Sequence, residues 1–293
     1  MNSKSKKIAI AIPKYGLTGG AEHFAYELAE RLSRNPHYEI HVFANKWQSG
    51  SQQITFHKIP IISFPKFLTT ISFAFFTERK LSKMNFDVVH AHDRLFNADL
   101  FTMHGIPHRI WVHEIRRKSM SLFDYGTWWV EKSLVHSKQC RMFLAVSNVA
   151  KDAFIQEYND VDPGKVHVVP PGVDAGRFQK ADRNLCREEV RNRHGINDED
   201  CVILFVSMNF DIKGLDRLIP GIAKLRKNNP GENIKLLVVG KGNEKKYGEL
   251  ARSHGIGDTV VFAGVVDRKR IGNYYAAADL FAMLSRFDTF GMV

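Results

Sequence analysis

Short apolar runs of about five residues alternate with segments of helical spacing along this chain, and the pattern occurs twice. In the first half, residues 8–12, 40–43, 54–59, 87–92, 101–105, 143–145 and 166–169 read as strands. Residues 21–33, 128–138 and 149–157 read as helices, the first with Phe24, Leu28 and Leu32 on one face. Pro170-Pro171-Gly172 then stiffens and turns the chain. The second half repeats the plan, with strands at 202–206, 235–239, 259–262 and 280–284 and helices at 187–194, 214–227, 247–254 and 271–278. Strands spaced by helices imply parallel sheets with crossover connections. The expected fold class is therefore α/β, with two Rossmann-like, doubly wound domains facing a cleft. The boundaries fall at residues 1–170 and 171–293, and the second domain is expected to be incomplete.

Composition narrows the function. The chain has 293 residues and a formal net charge of +11, which reads either as a solubilising surface or as a match for an anionic partner such as a nucleotide, a phosphorylated glycan or an acidic membrane face. No zinc spacing or RNA-recognition aromatic motif is present, so nucleic acid is not expected. Cys140, Cys186 and Cys201 are widely spaced, form no disulfide framework, and read as buried small apolar residues in a reducing cytoplasm. The apolar run after the basic N-terminus, residues 8–12, is too short for a signal-peptide core. The longest apolar stretch, 59–76, is broken by Pro60, Pro65 and Lys66.

Polar residues gather where strands end. Gly19 and Gly20 follow the first strand and permit close backbone approach to a phosphate or sugar. Glu22 bonds ligand hydroxyls or caps the first helical turn. His90, His92 and Asp93 end one strand and His104 ends the next. His-x-His with no third ligand is not a metal site. Gly240-Lys241-Gly242 matches a dinucleotide fingerprint only in part. At the end of the chain a buried strand, 280–284, runs into Asp288-Thr289, and Phe290-Gly291-Met292 reads as the start of a helix, whose free amides suit an anion.

Several motifs occur in order: Gly19-Gly20-Ala21-Glu22, Val169-Pro170-Pro171-Gly172-Val173-Asp174 with Arg177-Phe178, Lys213-Gly214-Leu215-Asp216-Arg217, and Ala277-Ala278-Asp279-Leu280 leading into Asp288-Thr289-Phe290-Gly291. Together they resemble the retaining, nucleotide-sugar-dependent glycosyltransferases of family 4, which have the GT-B fold, and within them the lipopolysaccharide core glucosyltransferases. The resemblance implies a hexosyltransferase using a UDP-sugar, with glucose the expected sugar, and a lipid-linked saccharide acceptor. It implies no metal cofactor, and a cytoplasmic protein peripheral to an anionic inner membrane. Lys213 matches the family's phosphate-contacting lysine, and Asp288 matches the first of two acids separated by seven residues. The second acid would lie beyond Val293, so weak donor binding and little turnover are expected of this chain. The family's upstream arginine is replaced by Met208 or Asn209, which shifts positive charge to Arg177 or Arg268. His104 matches a histidine facing the transferred sugar. Thr289 and the amides of Phe290, Gly291 and Met292 would meet the sugar and diphosphate, and Gly264 and Val265 would line the base pocket. Asp93 would orient the acceptor. The aromatic and basic stretches 61–80 and 109–129 would meet the membrane or form buried helix. Another family 4 transfer, of mannose or N-acetylglucosamine, is the alternative, as is an inactive binding remnant. A UDP-sugar 2-epimerase shares the architecture without these motifs in this order.

Overall fold

A computed structural model describes residues 5–17, 19–176, 182–267 and 269–293. Arg177 and Arg268 lie outside the described residues. Contacts divide the chain into two compact units, Met1–Pro171 with Thr289–Met292, and Gly172–Asp288 with Val293.

The first unit is built on β1 (Lys6–Ala11), β3 (Tyr38–Ala44), β5 (Ile54–Lys58), β6 (Val88–Ala91), β7 (Leu100–Met103), β8 (Met142–Ala145) and β9 (Val166–Val168). They form one seven-stranded sheet in the order β5-β3-β1-β6-β7-β8-β9, and each neighbouring pair is parallel. Two-residue strands β2 (Lys14–Tyr15) and β4 (Lys46–Trp47) pair separately beside it. Alternation along β1 explains the burial on both faces. Ala9 and Ala11 enter one core with Phe43, Phe73, Val130 and Phe154. Ile10 and Ile12 enter the other with Ala25, Ala29, Ile40 and Val42. A parallel sheet covered on both faces has no solvent side, so its strands read as unbroken apolar runs.

Helices α1 (Gly20–Leu32), α2 (Leu68–Leu81), α3 (His108–Ile110), α4 (Leu122–Val135) and α5 (Asn148–Glu157) supply the covering layers, and a π-helical turn spans Trp111–Ile115. Two expectations need correction here. The core-facing stripe of α1 is Ala25 and Ala29, with Ala21 and Leu32 packed beside them, rather than Phe24 and Leu28; small residues let the helix sit close to the sheet. Helix α4 begins six residues earlier than the apolar pattern suggested, because Ser121 and Asp124 form a reciprocal capping box. The stretch 61–80 contains a packed helix, with Phe73 and Ala74 buried against the sheet, although Phe64 and Phe75 stay exposed.

The second unit has β10 (Cys201–Ser207), β11 (Ile234–Gly240), β12 (Val260–Gly264) and β13 (Leu280–Phe281), with α6 (Arg183–His194), α7 (Leu215–Asn228), α8 (Glu244–Ser253) and α9 (Ile271–Ala277). Its sheet runs β12-β11-β10-β13 and is parallel throughout. Ile203, Phe205, Leu236 and Val238 pack on one face, and Val202, Leu204, Leu237 and Val239 on the other. The expected buried strand 280–284 is corrected: β13 is two residues long, and Leu280 and Phe281 are 58% and 43% exposed. Among the described residues it pairs only with β10, and after the Ala282 amide meets the Leu204 carbonyl the chain turns away. No helix begins at Phe290. There the Met292 amide closes a tight turn onto the Phe290 carbonyl at 2.9 Å. Cys140 is buried, but Cys186 and Cys201 are only partly so.

Candidate functional site

In the first unit the polar ends of β6 and β7 open into a cavity of about 330 Å³ whose lining includes Glu22, His92, Asp93, Arg94, His104 and Glu131. His92, Asp93 and Arg94 follow β6 and His104 follows β7, at the carboxyl edge of the parallel sheet where ligands of open α/β folds bind, while Glu22 comes from α1 and Glu131 from α4. Gly19 adopts φ 153°, and a Cβ there would lie 2.0 Å from a carboxylate oxygen of Glu22. The carboxylate therefore folds back over the glycine loop at the start of α1, where acid is favoured by the helix dipole. Gly20 is the first residue of α1.

Three histidines cluster here, and two of them, His92 and His104, line the cavity. His90 Nε2 is 2.7 Å from the Thr102 hydroxyl. His92 Nδ1 is 3.1 Å from His104 Nε2, with the rings stacked at 24°. Phe24 packs edge-on against His104, its ring centre 5.3 Å away, which explains why this residue is not spent in the core. Burial pushes His90 and His104 down to about 4 and His92 well below the usual range, so all three are neutral at pH 7.

The cavity lining also holds a carboxylate that sequence reasoning did not find. Glu131, 3% exposed, accepts from Arg94 Nε at 2.8 Å, from the His108 amide at 2.9 Å and from the Tyr158 hydroxyl at 2.9 Å. Burial lowers the Arg94 pKa, but the charges of Glu131 and Asp93 outweigh it and the net shift is upward. Arg94 in turn holds Asp93, whose Oδ1 accepts from the Arg94 amide at 2.7 Å. Asp93 is thus fixed at the cavity wall. Arg94 follows directly on the strand-end polar run and was open to notice. Glu131 carried no local signal, being one charge in an otherwise ordinary helix.

In the second unit Lys213 ends the turn after β10, and its ammonium pairs with the Asp288 carboxylate. Gly214 caps α7 with φ 78°, and a Cβ there would lie 1.9 Å from the Leu284 carbonyl oxygen. Only glycine fits, so the turn holds Lys213 at the helix start, where the first amides of α7 have no side-chain cap. Arg286, which sequence reasoning passed over, pairs with Asp216 in the first turn of α7; Asp216 Oδ1 is buried with no partner. Gly264, at φ 68°, and exposed Val265 lie at the carboxyl end of β12. Gly240, at φ 124°, would place a Cβ 1.7 Å from the Ser207 carbonyl, so the Gly-Lys-Gly turn is shaped by strand packing.

The end segment groups with the first unit. The Thr289 hydroxyl donates to the His104 carbonyl at 3.0 Å, and Phe290 packs on the larger core. Gly291 is exposed. The Met292 N–H is bonded within its turn to the Phe290 carbonyl.

Comparison with known proteins places this geometry. Residues 18–177 match the profile of Glycosyltransferase Family 4, and residues 186–293 match Glycosyl transferases group 1. An uncharacterized glycosyltransferase of Methanocaldococcus jannaschii is 28% identical over 98% of this chain and 76% of its own length. Mannosylfructose-phosphate synthase of Agrobacterium fabrum is 31% identical over 56% of this chain. That match spans 37% of the synthase, well under two thirds of its length. Among solved structures, WaaG, a glycosyltransferase involved in lipopolysaccharide biosynthesis, superposes with TM-score 0.81 at 20% identity, covering 96% of this chain and 76% of that one. The fold is therefore that of GT-B glycosyltransferases, and with more than half of its length matched by the family profile the chain belongs to glycosyltransferase family 4.

Proposed function

We propose that this protein moves a hexose, with glucose the expected sugar, from a UDP-sugar to a lipid-linked saccharide such as lipopolysaccharide core, with retention at the anomeric carbon. Lys213 beside Asp288 at the start of α7 carries the reading. An arriving diphosphate takes the place of Asp288 as the counterion of Lys213, and Asp288 turns to the sugar hydroxyls. As the bond from the anomeric carbon to the diphosphate breaks, Lys213 and the α7 amides meet the growing negative charge, so the reading assigns that work to protein groups rather than to a metal. The acceptor hydroxyl attacks from the same face, and the departing phosphate oxygen takes its proton. His104 and Asp93 hold the sugar and the acceptor. The observation that supports a neutral, hydrogen-bonding role for His104 is its burial.

A lipid-borne acceptor is supported by the surface of the first unit. Leu122, Tyr125 and Trp129, at i, i+3 and i+7, share one face of α4 and are exposed. Phe64 is 88% exposed, and neighbouring Lys66 lies over the Phe123 ring at 5.0 Å. Arg116-Arg117-Lys118 precede the helix. Aromatic groups ringed by cations suit an anionic bilayer surface. The protein is expected to pellet with phosphatidylglycerol vesicles at low salt, and Leu122→Ser with Trp129→Ser to weaken this. Failure to pellet would remove the membrane from the account. No described helix is long and apolar enough to cross a membrane. A small phosphorylated sugar acceptor, of the kind named for mannosylfructose-phosphate synthase, is the second reading, favoured by Lys14 and Arg94 in the cavity lining.

Calorimetric titration with UDP-glucose, UDP-N-acetylglucosamine and GDP-mannose tests the donor assignment. One UDP-sugar is expected to bind, and Lys213→Ala to weaken it at least about tenfold, since a hydrogen bond to a charged group is worth about 1.5–3 kcal/mol. Binding of none, or binding unchanged in the variant, contradicts the assignment.

A further inference from the structure

His92 is 3% exposed, and its Nε2 is sealed from solvent with no hydrogen-bond partner. Its other nitrogen, Nδ1, is 3.1 Å from His104 Nε2. One of these two facing nitrogens must carry the shared proton. If His104 Nε2–H donated, His92 would accept at Nδ1 and, as a neutral ring, carry its own proton at Nε2. That would leave a buried N–H with no acceptor, a rare and costly arrangement. If His92 Nδ1–H donates, the sealed Nε2 is only a bare acceptor, which costs less. The second state follows, and it fixes the partner ring as well: His104 Nε2 accepts, so the proton of neutral His104 sits on Nδ1.

From these contacts we infer that His92 is a positioning residue whose Nδ1–H locks His104 in the tautomer protonated at Nδ1, leaving that N–H to donate to an oxygen of the bound sugar. The use made of the N–H rests on the transfer reading above; the lock itself does not. Burial keeps both rings from becoming cations near pH 7, so the lock is a neutral pair. Phe24 packs on both rings, 5.7 Å from His92 and 5.3 Å from His104, and holds their planes while the hydrogen bond sets the proton. Among the described residues His104 Nδ1 has no protein hydrogen-bond partner, whereas its Nε2 is engaged. His104 is thereby a hydrogen-bond donor at Nδ1 and is not poised there as a base.

Imidazole 15N spectra at pH 7.5 test this, with the His104 resonances assigned by their loss in His104→Gln. In the wild type His104 is expected to show a protonated Nδ1 and an unprotonated, hydrogen-bonded Nε2. In His92→Phe, which keeps an aromatic ring and removes the donor, the His104 signals are expected to move to the averaged shifts of a ring exchanging tautomers. In His92→Asn, whose amide can donate from near the same position, the wild-type pattern is expected to return. A wild-type His104 protonated at Nε2 overturns the inference, and so does a His92→Phe spectrum unchanged at His104. The wild-type spectrum decides the tautomer even if a variant fails to fold. No donor or acceptor is added, so the result stands apart from whether glycosyl transfer is found.

Discussion

Arg191 has no exposed surface, yet it carries a full charge. Its guanidinium donates to the carbonyls of Ala277, Asn197, Asp198 and Asp200 at 2.6–3.1 Å and to Asp279 Oδ2 at 2.9 Å. Burial alone would raise the Asp279 pKa, but the Val202 amide and Arg187 outweigh it and the carboxyl is held low. One planar fork thus ties α6, the loop before β10 and the approach to β13, and it gives the Ala-Ala-Asp-Leu motif a structural role. Arg191→Leu is expected to cost about 3–5 kcal/mol in urea unfolding, because it leaves the carbonyls of Asn197, Asp198 and Asp200 without this donor and takes one cationic partner from Asp279. Arg191→Lys is expected to recover only part, since an ammonium cannot reach all of these acceptors. At this scale the sequence was most legible where a polar side chain interrupts an apolar run: Asp93 and His104 stand out at strand ends. Glu131 and Arg94 meet across 37 positions, a separation that no local pattern encodes.

Elements were legible in proportion to their apolar content. The long strands β1, β3, β10 and β11 were read nearly in full because both of their faces are buried. Polar pairs such as Lys14-Tyr15 and Lys46-Trp47 form strands only because their backbones meet in the fold, and the sequence carries no sign of it. Edge strand β13 was read too long because Leu280, Phe281 and Leu284 are apolar, although all three are exposed. The turn into α7 was legible only as a motif, and its physical reason is the Leu284 carbonyl against Gly214. Gly214→Ala is expected to lose about 2 kcal/mol or more, from a left-handed backbone and a direct clash together. The same variant is expected to weaken UDP-sugar binding, because the turn that carries Lys213 must shift. A melting temperature and a donor affinity both equal to wild type would show that the turn is not the constraint argued here.

For the whole molecule, buried histidines tie stability to pH. His90 and His104 titrate at about 4 when folded, against 6.5 or so when unfolded. Between those values the unfolded chain binds more protons, so stability falls as pH is lowered, by up to ~1.4 kcal/mol per pH unit for each such histidine. A steady loss of melting temperature from pH 6.5 to 5 is expected, above the range where most carboxylates titrate, and His90→Gln is expected to flatten it. A flat profile in the wild type would mean that these rings are solvated.

The central claim is that this family 4 chain transfers a sugar from a nucleotide. The most direct measurement is the release of UDP from UDP-glucose, with the sugar followed by mass spectrometry into a lipopolysaccharide-core acceptor, for wild type and Lys213→Ala. The account predicts slow UDP release, above a protein-free control and matched by a hexose added to the acceptor, and loss of both in the variant. UDP release and acceptor mass unchanged from a protein-free control would contradict it.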